Sequence, residues 1–354
     1  MILMSKRILA AACAAATALA LSACSPSAST GGKASKDGTL TVMASFYPLK
    51  YLTEKVGGEH VTVTSLTPDG AEPHDLELSP KMVDSLASAD AVVYLAGFQG
   101  AVDEAIEQHA PTTVIDVSSA AQLVAIDSTS NHPGEDEGTD EAQSGEAQSG
   151  KAQSGEAADH DHEGHEHEGH DHEHADHAHH HDMSMDPHFW LDPARMANAA
   201  TLVGDKLAEA DPTNAETYKA NAQALNKELT SLGDNLVTKT STCQIKTFVT
   251  AHTAFGYLAD RTGLTQVGIS GLDPESSPSP ARLAEIGKIA KDQGVTTIFT
   301  EALIDPKVAQ TLADDLGIST AVLDPIESQT DSSKDYAAVM NDNIDALTKA
   351  NNCQ

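Results

Sequence analysis

Strand-like and helix-like patterns alternate along both halves of the 354-residue chain, on either side of a low-complexity segment at 127–182. Short apolar runs typical of buried strands, such as 40–44 and 246–250, are followed by stretches with helical periodicity, such as 49–56 and 254–262. This alternation favours parallel sheets, because a helix commonly makes the crossover between parallel neighbours. We therefore predict an α/β fold with two lobes, each a small parallel sheet flanked by helices.

Two further helical stretches, at 193–210 and 214–238, lie between the predicted lobes. A helix of about 25 residues spans roughly 37 Å, enough to run along both lobes as a stiff strut. We therefore interpret the chain as two lobes joined by a long rigid helix. Its expected parts are an N-terminal lobe at 39–126 that ends with 183–210, an interlobe linking helix at 211–240 and a C-terminal lobe at 241–354.

The amino terminus has the features of an export signal. Lys6 and Arg7 precede an apolar stretch at 8–21, which is shorter than the roughly 20 residues that a membrane span requires. The stretch ends in Leu-Ser-Ala-Cys, which resembles the bacterial lipobox. We therefore predict a signal peptide at 1–23, lipid on the thiol of Cys24 and a polar tether at 24–38. The alternative is an ordinary signal peptide with a chance cysteine.

Export would leave two cysteines available for pairing. Cys13 is lost with the signal peptide and Cys24 is consumed by lipid, so Cys243 and Cys353 remain in an oxidising compartment. They form one disulfide or stay as two buried free thiols, since the distance between two thiols cannot be read from sequence.

The balance of charge restricts the partners. The chain carries 53 acidic against 21 basic side chains, a formal net charge of −32. Nucleic acids and anionic membrane surfaces are bound through basic patches, so this charge argues against both. Cations are the partners that it favours, and contact with the membrane is expected only through the lipid.

The low-complexity segment has two chemically different parts. Three five-residue units, EAQSG, EAQSG and KAQSG, occupy 141–155 and contain no apolar residue larger than alanine, so we predict a disordered linker there. Eleven of the 22 residues at 160–181 are histidine, interleaved with acids. The histidines are His160, His162, His165, His167, His170, His172, His174, His177, His179, His180 and His181.

Imidazole and carboxylate groups together suit Zn²⁺, Cu²⁺ or Ni²⁺, so the histidine-rich segment predicts many weak, interchangeable metal sites. A tight site needs ligands on rigid elements, because ordering a flexible loop around each ion costs conformational entropy. We therefore expect this segment to capture, buffer or sense metal. A solvated linker with idle histidines, or an expression tag, is the alternative.

Three other histidines lie where rigid elements should end. His74 is in the loop after the second predicted strand, His188 is in Asp-Pro-His-Phe-Trp-Leu-Asp-Pro, and His252 follows the strand KTFVT. Glu301 and Asp324 also follow strand-like runs. Ligands collect beyond the carboxyl ends of strands in open α/β sheets, which makes these residues candidates for one site. Taken singly, each also fits a loop, cap or turn residue.

Several short motifs, spread over nearly the whole mature chain, form a pattern that resembles the zinc-specific, ZnuA-like branch of the substrate-binding lipoproteins of bacterial metal ABC transporters. The motifs are ASFYPL at 44–49, GAEPHDLE at 70–77, DPHFWLDP at 186–193, TAH at 250–252 with FGYL at 255–258, SSPSP at 276–280, and LDP at 323–325.

This resemblance implies a metal site in the cleft between two α/β lobes. Carried over by motif, its ligands are His74, His188 and His252, with Asp324 or water in fourth place. Manganese-selective members tend to carry an acid where His252 stands, and three neutral nitrogens favour Zn²⁺ over the harder Mn²⁺. Glu72 and Glu301 are further candidates, as carboxylates that orient a ligating histidine or contact the metal.

The function implied by the resemblance is capture of extracytoplasmic Zn²⁺ and its delivery to an ABC-transporter permease and the associated ATPase. The chain would then be a monomer with no enzymatic activity, anchored to the cell membrane by lipid on Cys24. Ser25 after the lipidated cysteine and the composition indicate a Gram-positive surface.

Three alternatives stay open at this point. One is a surface zinc reservoir or adhesin-like protein that uses the histidine-rich segment alone. Another is a zinc hydrolase, although the sequence has no His-Glu-x-x-His helix. The last is manganese as the transported ion.

Overall fold

We describe residues 38–109, 111–126 and 185–354 in a computed structural model of the protein. The predicted signal peptide, Cys24, most of the tether, the EAQSG repeats and the histidine-rich segment lie outside these residues. None of the described helices is long and apolar enough to cross a membrane.

The first lobe contains a four-stranded parallel sheet in the order β2-β1-β3-β4. Its strands and the helices between and after them are β1 (Leu40–Ala44), α1 (Tyr47–Gly57), β2 (Val61–Ser65), α2 (Pro80–Ser88), β3 (Ala91–Tyr94), α3 (Gly100–His109), β4 (Thr113–Asp116) and α4 (Ser118–Ala121). The chain adds β2 on one side of β1 and then β3 and β4 on the other side. The strand order therefore changes direction between β1 and β3. Ligands commonly bind beyond such a switch point.

The second lobe repeats this arrangement, with a parallel sheet in the order β6-β5-β7-β8. Its elements are β5 (Thr247–Thr250), α7 (Gly256–Thr262), β6 (Thr265–Gly268), α8 (Pro280–Asp292), β7 (Thr297–Thr300), α9 (Lys307–Leu316), β8 (Ser319–Val322) and α10 (Tyr336–Ala350). Two lobes with small parallel sheets and flanking helices are thus confirmed, whereas the limits assigned to each segment from sequence stay a prediction.

Two long helices lie between the lobes in sequence: α5 (Pro193–Ala210), which packs against α1, α4 and β4 of the first lobe, and α6 (Ala215–Thr240). The 26 residues of α6 extend about 39 Å, and this helix packs against α1 and α5 on one side of the molecule and against α7 and α10 on the other. Its buried positions include Leu225, Leu229, Leu232 and Leu236, spaced at three and four residues along one face. Burial of that face places it in an apolar core that contains residues of both lobes.

Helix starts in the two lobes use the same local chemistry. Ser79 caps α2 by accepting a hydrogen bond from the backbone N–H of Met82, and Ser279 caps α8 in the same way. A proline follows each serine at the first helical position, where its missing N–H costs nothing. Each of these helices therefore begins where the sequence supplies a Ser-Pro pair.

The carboxyl terminus is tied back to the beginning of the second lobe. Cys243 and Cys353 form a disulfide across a sequence separation of 110 residues. The N–H of Gln244 beside this bond donates to the carbonyl oxygen of Asn351. The disulfide expected as one of two alternatives is confirmed.

Candidate metal centre

Three imidazoles and one carboxylate converge between the two lobes. His74, His188, His252 and Glu327 each offer one ligand atom, and these atoms all lie within 4.8 Å of one another. Oε1 of Glu327 is 3.4 Å from Nε2 of His74, 3.2 Å from Nε2 of His188 and 3.3 Å from Nε2 of His252. The side chains of His188 and His252 are fully buried, and that of Glu327 is 1% exposed.

Asp186 holds His188 at two points. Its Oδ1 accepts from the backbone N–H of His188 at 2.9 Å and lies 2.8 Å from the ring Nδ1. The carbonyl oxygen of Asp186 accepts from the hydroxyl of Tyr257 at 2.7 Å, which anchors this turn to α7. A carboxylate can only accept here, so Nδ1 of His188 carries a proton and Nε2 is the ring nitrogen that faces the cluster.

The sheet order of the second lobe explains how His252 acquires its partner. Strands β5 and β7 are parallel neighbours, so the residues that follow Thr250 and Thr300 meet at the same edge of the sheet. Glu301 accepts from the backbone N–H of His252 at 3.0 Å through Oε1 and lies 2.7 Å from its Nδ1 through Oε2. His252 therefore also keeps a proton on Nδ1 and directs Nε2 into the cluster.

His74 is held mainly through its backbone and ring face. Its N–H donates to Oε1 of Glu72 at 3.0 Å, and its ring packs edge-on against Phe98 at 4.9 Å between centroids. The two carboxylates proposed from sequence as supporting groups thus have defined places: Glu301 contacts the ring of His252, whereas Glu72 contacts the backbone of His74. On its other side, Glu72 lines a cavity of about 310 Å³ together with Glu275 and Asp305.

The carboxylate in the cluster is Glu327, and Asp324, expected in that place, lies outside the four-group cluster. Oδ1 of Asp324 accepts from the backbone N–H of Ile326 at 2.7 Å, which occupies the carboxylate in a local turn. Ile326 has a φ of 57°, a left-handed conformation that is costly for a β-branched residue. This bend positions Glu327 at the histidines, three residues beyond Asp324.

The strained turn is fixed to the rest of the protein on both sides. Asn343 accepts from the N–H of Asp324 and donates to its carbonyl oxygen, at 2.8 and 2.7 Å. Nε1 of Trp190 donates to the carbonyl oxygen of Pro325 at 2.7 Å. The ring of Trp190 also lies 5.1 Å from that of His188, so one buried indole contacts both the turn before Glu327 and the ring of His188.

The electrostatics of the cluster favour charge separation between imidazoles and carboxylates. Burial alone would lower the pKa of His188 and His252. Hydrogen bonds to Asp186 and Glu301, together with the charges of these acids and of Glu327, outweigh burial and raise both pKa values, that of His252 well above 6.5. Burial lowers the pKa of His74. The imidazoles hold the pKa of Glu327 well below 4.5 despite its burial.

Glu72 behaves differently from Glu327. Burial, followed by repulsion from Glu327, raises the pKa of Glu72 to about 7. The two carboxylates are close enough to disfavour each other's charge, and only Glu327 is in contact with the three imidazoles.

The donor set fits a divalent transition metal. Without protons on Nε2, the three imidazoles and Glu327 present only lone pairs to one another, and such a group is stable only around a cation or shared protons. Nε2 of His252 is buried and makes no hydrogen bond to the described residues. Three imidazole nitrogens with one carboxylate oxygen are typical ligands of Zn²⁺.

Sequence reasoning brought His74, His188 and His252 to one site but missed Glu327 and Asp186. Asp186 had a usable signal, since an acid two residues before a ligating histidine can accept from both its N–H and its Nδ1. Glu327 follows Asp324-Pro325 closely in sequence, but nothing in this segment indicates which of the two acids faces the histidines.

Comparisons with known proteins agree with this geometry. The chain is 34% identical over 323 residues to the zinc-binding protein AdcA of Streptococcus pyogenes serotype M3, an alignment that covers 88% of this chain and 56% of that relative. The chain therefore spans little more than half the length of AdcA. It is 32% identical over 340 residues to the high-affinity zinc uptake system protein ZnuA of Bacillus subtilis, with 94% of each chain covered.

A solved structure shows the same fold. The Zn(II)-bound ZnuA-like domain of AdcA from Streptococcus pneumoniae superposes with a TM-score of 0.65 and 28% sequence identity, covering 89% of this chain and 99% of that domain. The family profile described as "Zinc-uptake complex component A periplasmic" matches residues 42–350. This chain therefore belongs to the ZnuA family of zinc-uptake complex components.

Proposed function

We propose that this protein binds one Zn²⁺ ion through His74, His188, His252 and Glu327 outside the cytoplasm and delivers it to the permease of an ABC transporter. The observation that carries the proposal is the approach of Oε1 of Glu327 to within 3.4 Å of all three Nε2 atoms at the junction of the lobes. The zinc-binding relatives and the Zn(II)-bound neighbouring structure support the choice of metal.

Zinc is favoured by both ligand type and protonation. Neutral imidazole is a borderline ligand that suits Zn²⁺, whereas Mn²⁺ prefers an oxygen-rich site. Asp186 and Glu301 hold the Nδ1 protons of His188 and His252, which leaves each Nε2 free to bind the ion.

Binding is favoured over catalysis because the protein supplies a fourth ligand. Zinc hydrolases keep one coordination position open for the water that they activate. Glu327 would fill that position here, and its side chain is 1% exposed. Zn²⁺ is therefore cargo, and the family itself is a transport component.

The sequence motifs and the family support the cellular arrangement that we propose. A signal peptide at 1–23 and lipid on Cys24 would anchor a monomer at the cell membrane, facing the Gram-positive exterior. The partners would be a permease and its ATPase. The eleven histidines of the segment at 160–181 would serve as auxiliary, weaker metal sites.

Two variants distinguish Zn²⁺ binding at the buried site from Zn²⁺ binding by the histidine-rich segment. We expect a chain that lacks 159–181 to keep one tightly bound Zn²⁺ per molecule, measured by competition with a chromophoric chelator. His252→Ala in that background should abolish the tight site, whereas His109→Ala, an exposed histidine in α3, should leave it intact.

Loss of all tight binding on deletion alone would refute the proposal and favour the reservoir or adhesin-like alternative. Competition of Zn²⁺ with Mn²⁺ on the same deleted chain tests the choice of metal. Preferential retention of Mn²⁺ would overturn that choice.

A further inference from the structure

A buried glutamine in the first lobe holds the loop that carries His74. Nε2 of Gln99 donates to the carbonyl oxygen of Pro73 at 3.0 Å and to Oγ1 of Thr67 at 2.9 Å. The hydroxyl of Thr67 donates in turn to the carbonyl oxygen of Ser45, just beyond β1, at 2.8 Å. One amide group therefore links the residue before His74 to the edge of the sheet.

A second buried glutamine makes the same kind of contacts in the other lobe. Nε2 of Gln266, in β6, donates to the carbonyl oxygen of His252 at 3.0 Å and to Oγ1 of Thr250 at 2.8 Å. The hydroxyl of Thr250 donates to the same carbonyl oxygen at 2.6 Å. The backbone of His252 is thus held at its carbonyl by Gln266 and at its N–H by Glu301.

The two glutamines share an unusual feature. Gln99 is 2% exposed and Gln266 is fully buried, yet Oε1 of each accepts no hydrogen bond within the described part of the chain. A buried amide oxygen without a partner destabilises a folded protein, and methionine would fill a similar volume without that oxygen. Only the amide nitrogen of each glutamine makes hydrogen bonds to the described residues, and it donates to the loop that carries His74 or His252.

We propose that Gln99 and Gln266 are positioning residues for the metal centre, one in each lobe, that fix the backbone of the His74 and His252 loops so that both Nε2 atoms stay directed at Glu327. This inference rests on the proposed function. His74 has particular need of such support, because no carboxylate of the described residues hydrogen-bonds to its Nδ1. A ligand whose backbone drifts by a fraction of an ångström loses the geometry that a tetrahedral ion requires.

The test replaces each amide with an unbranched apolar side chain. We expect Gln99→Met and Gln266→Met each to weaken Zn²⁺ binding on the order of 10-fold, as is typical when groups that orient metal ligands are removed. The visible absorption spectrum of the Co²⁺-loaded variants should also change, because its bands report coordination geometry. The thermal midpoint of the metal-free variants should stay within a few degrees of the wild-type value.

Gln108→Met, the same substitution at an exposed position of α3 where the side chain bonds only to Glu104 among the described residues, is the matched control. Equal affinity and an equal Co²⁺ spectrum in Gln99→Met, Gln266→Met and the control would overturn the inference. Failure of the wild-type protein itself to bind Zn²⁺ would instead refute the proposed function.

A second pair of variants keeps the inference testable if a methionine variant does not fold. Thr250→Val removes the hydroxyl that joins Gln266 to the His252 loop, with little change in side-chain shape. Thr250→Ser keeps this hydroxyl. We expect weaker Zn²⁺ binding and an altered Co²⁺ spectrum in the valine variant. The serine variant should have the affinity and the spectrum of the wild-type protein. Identical binding and spectra in both would overturn the inference.

Discussion

Glu301 contacts His252 through both of its carboxylate oxygens, one on the backbone N–H at 3.0 Å and one on the ring Nδ1 at 2.7 Å. Asp186 contacts the backbone N–H and the ring Nδ1 of His188 in a similar way, but through a single oxygen. In each pair, an acid at a buried turn fixes both the rotation and the tautomer of a histidine. The orientation of each histidine therefore depends on the acid that is paired with it.

Replacing Glu301 with glutamine should weaken Zn²⁺ binding about 10- to 100-fold. The amide has only one oxygen to accept from the backbone N–H and the Nδ1–H of His252, and its NH₂ group would face whichever of these two donors the oxygen does not bind. Chelator competition at neutral pH measures the effect. Glu107→Gln, the same change at an exposed position in α3, should leave affinity unaltered. Wild-type affinity in Glu301→Gln would show that the carboxylate does not orient His252.

A pair of amide substitutions distinguishes the two acids after β8. Glu327→Gln should reduce Zn²⁺ affinity by at least about 100-fold, because it removes the charge that three imidazoles surround. Asp324→Asn should have little effect, since an asparagine oxygen can still accept from the N–H of Ile326. Isothermal titration of both variants measures the difference, and the reverse order of sensitivity would restore Asp324 as the ligand.

Zinc affinity should fall as the solution is acidified. The pKa values of His188 and His252 are raised in the metal-free site, so a proton competes with Zn²⁺ for Nε2 already at a pH above 6.5, the ordinary value for histidine. The pKa of Glu327 is lowered, so this carboxylate stays charged and does not add to the competition in that range. Affinity measured from about pH 8 down to about pH 5 should decrease steadily; a flat profile would contradict this.

The same raised pKa values predict opposite pH trends for the two states of the protein. In the metal-free form, protonated His188 and His252 contribute stability below the unfolded pKa, and this contribution is lost as pH rises through their folded values. Zn²⁺ binding strengthens over the same interval. The difference in thermal midpoint between the zinc-loaded and metal-free forms should therefore widen with pH, which scanning calorimetry can measure.

The disulfide should matter for stability and not for metal binding. Cys243 and Cys353 close a loop of 110 residues, and the chain-entropy model assigns about 4 to 5 kcal/mol to a loop of that size. Replacing both with serine should lower the free energy of unfolding by up to that amount, measured by denaturant titration. Neither cysteine belongs to the cluster of His74, His188, His252 and Glu327, so the affinity for Zn²⁺ should be unchanged. A large loss of affinity would instead connect the terminus to the site.

Much of the fold could be predicted because each βα unit carries its own local signals. The strand expected at 40–44 coincides with β1, and the one expected at 246–250 begins one residue before β5. The helix expected at 214–238 is α6, Ala215–Thr240. These elements follow from apolar periodicity, a signal that acts within a few residues.

Three residues of the cluster were likewise predictable, since His74, His188 and His252 lie in distinctive motifs at the ends of elements. The fourth member of the cluster was decided by tertiary structure. Asp324 and Glu327 are three residues apart and chemically alike, and their roles depend on the left-handed turn at Ile326. That turn is held by Asn343 and Trp190, which are distant in sequence, so no local pattern could show that Glu327 enters the site while Asp324 closes the turn.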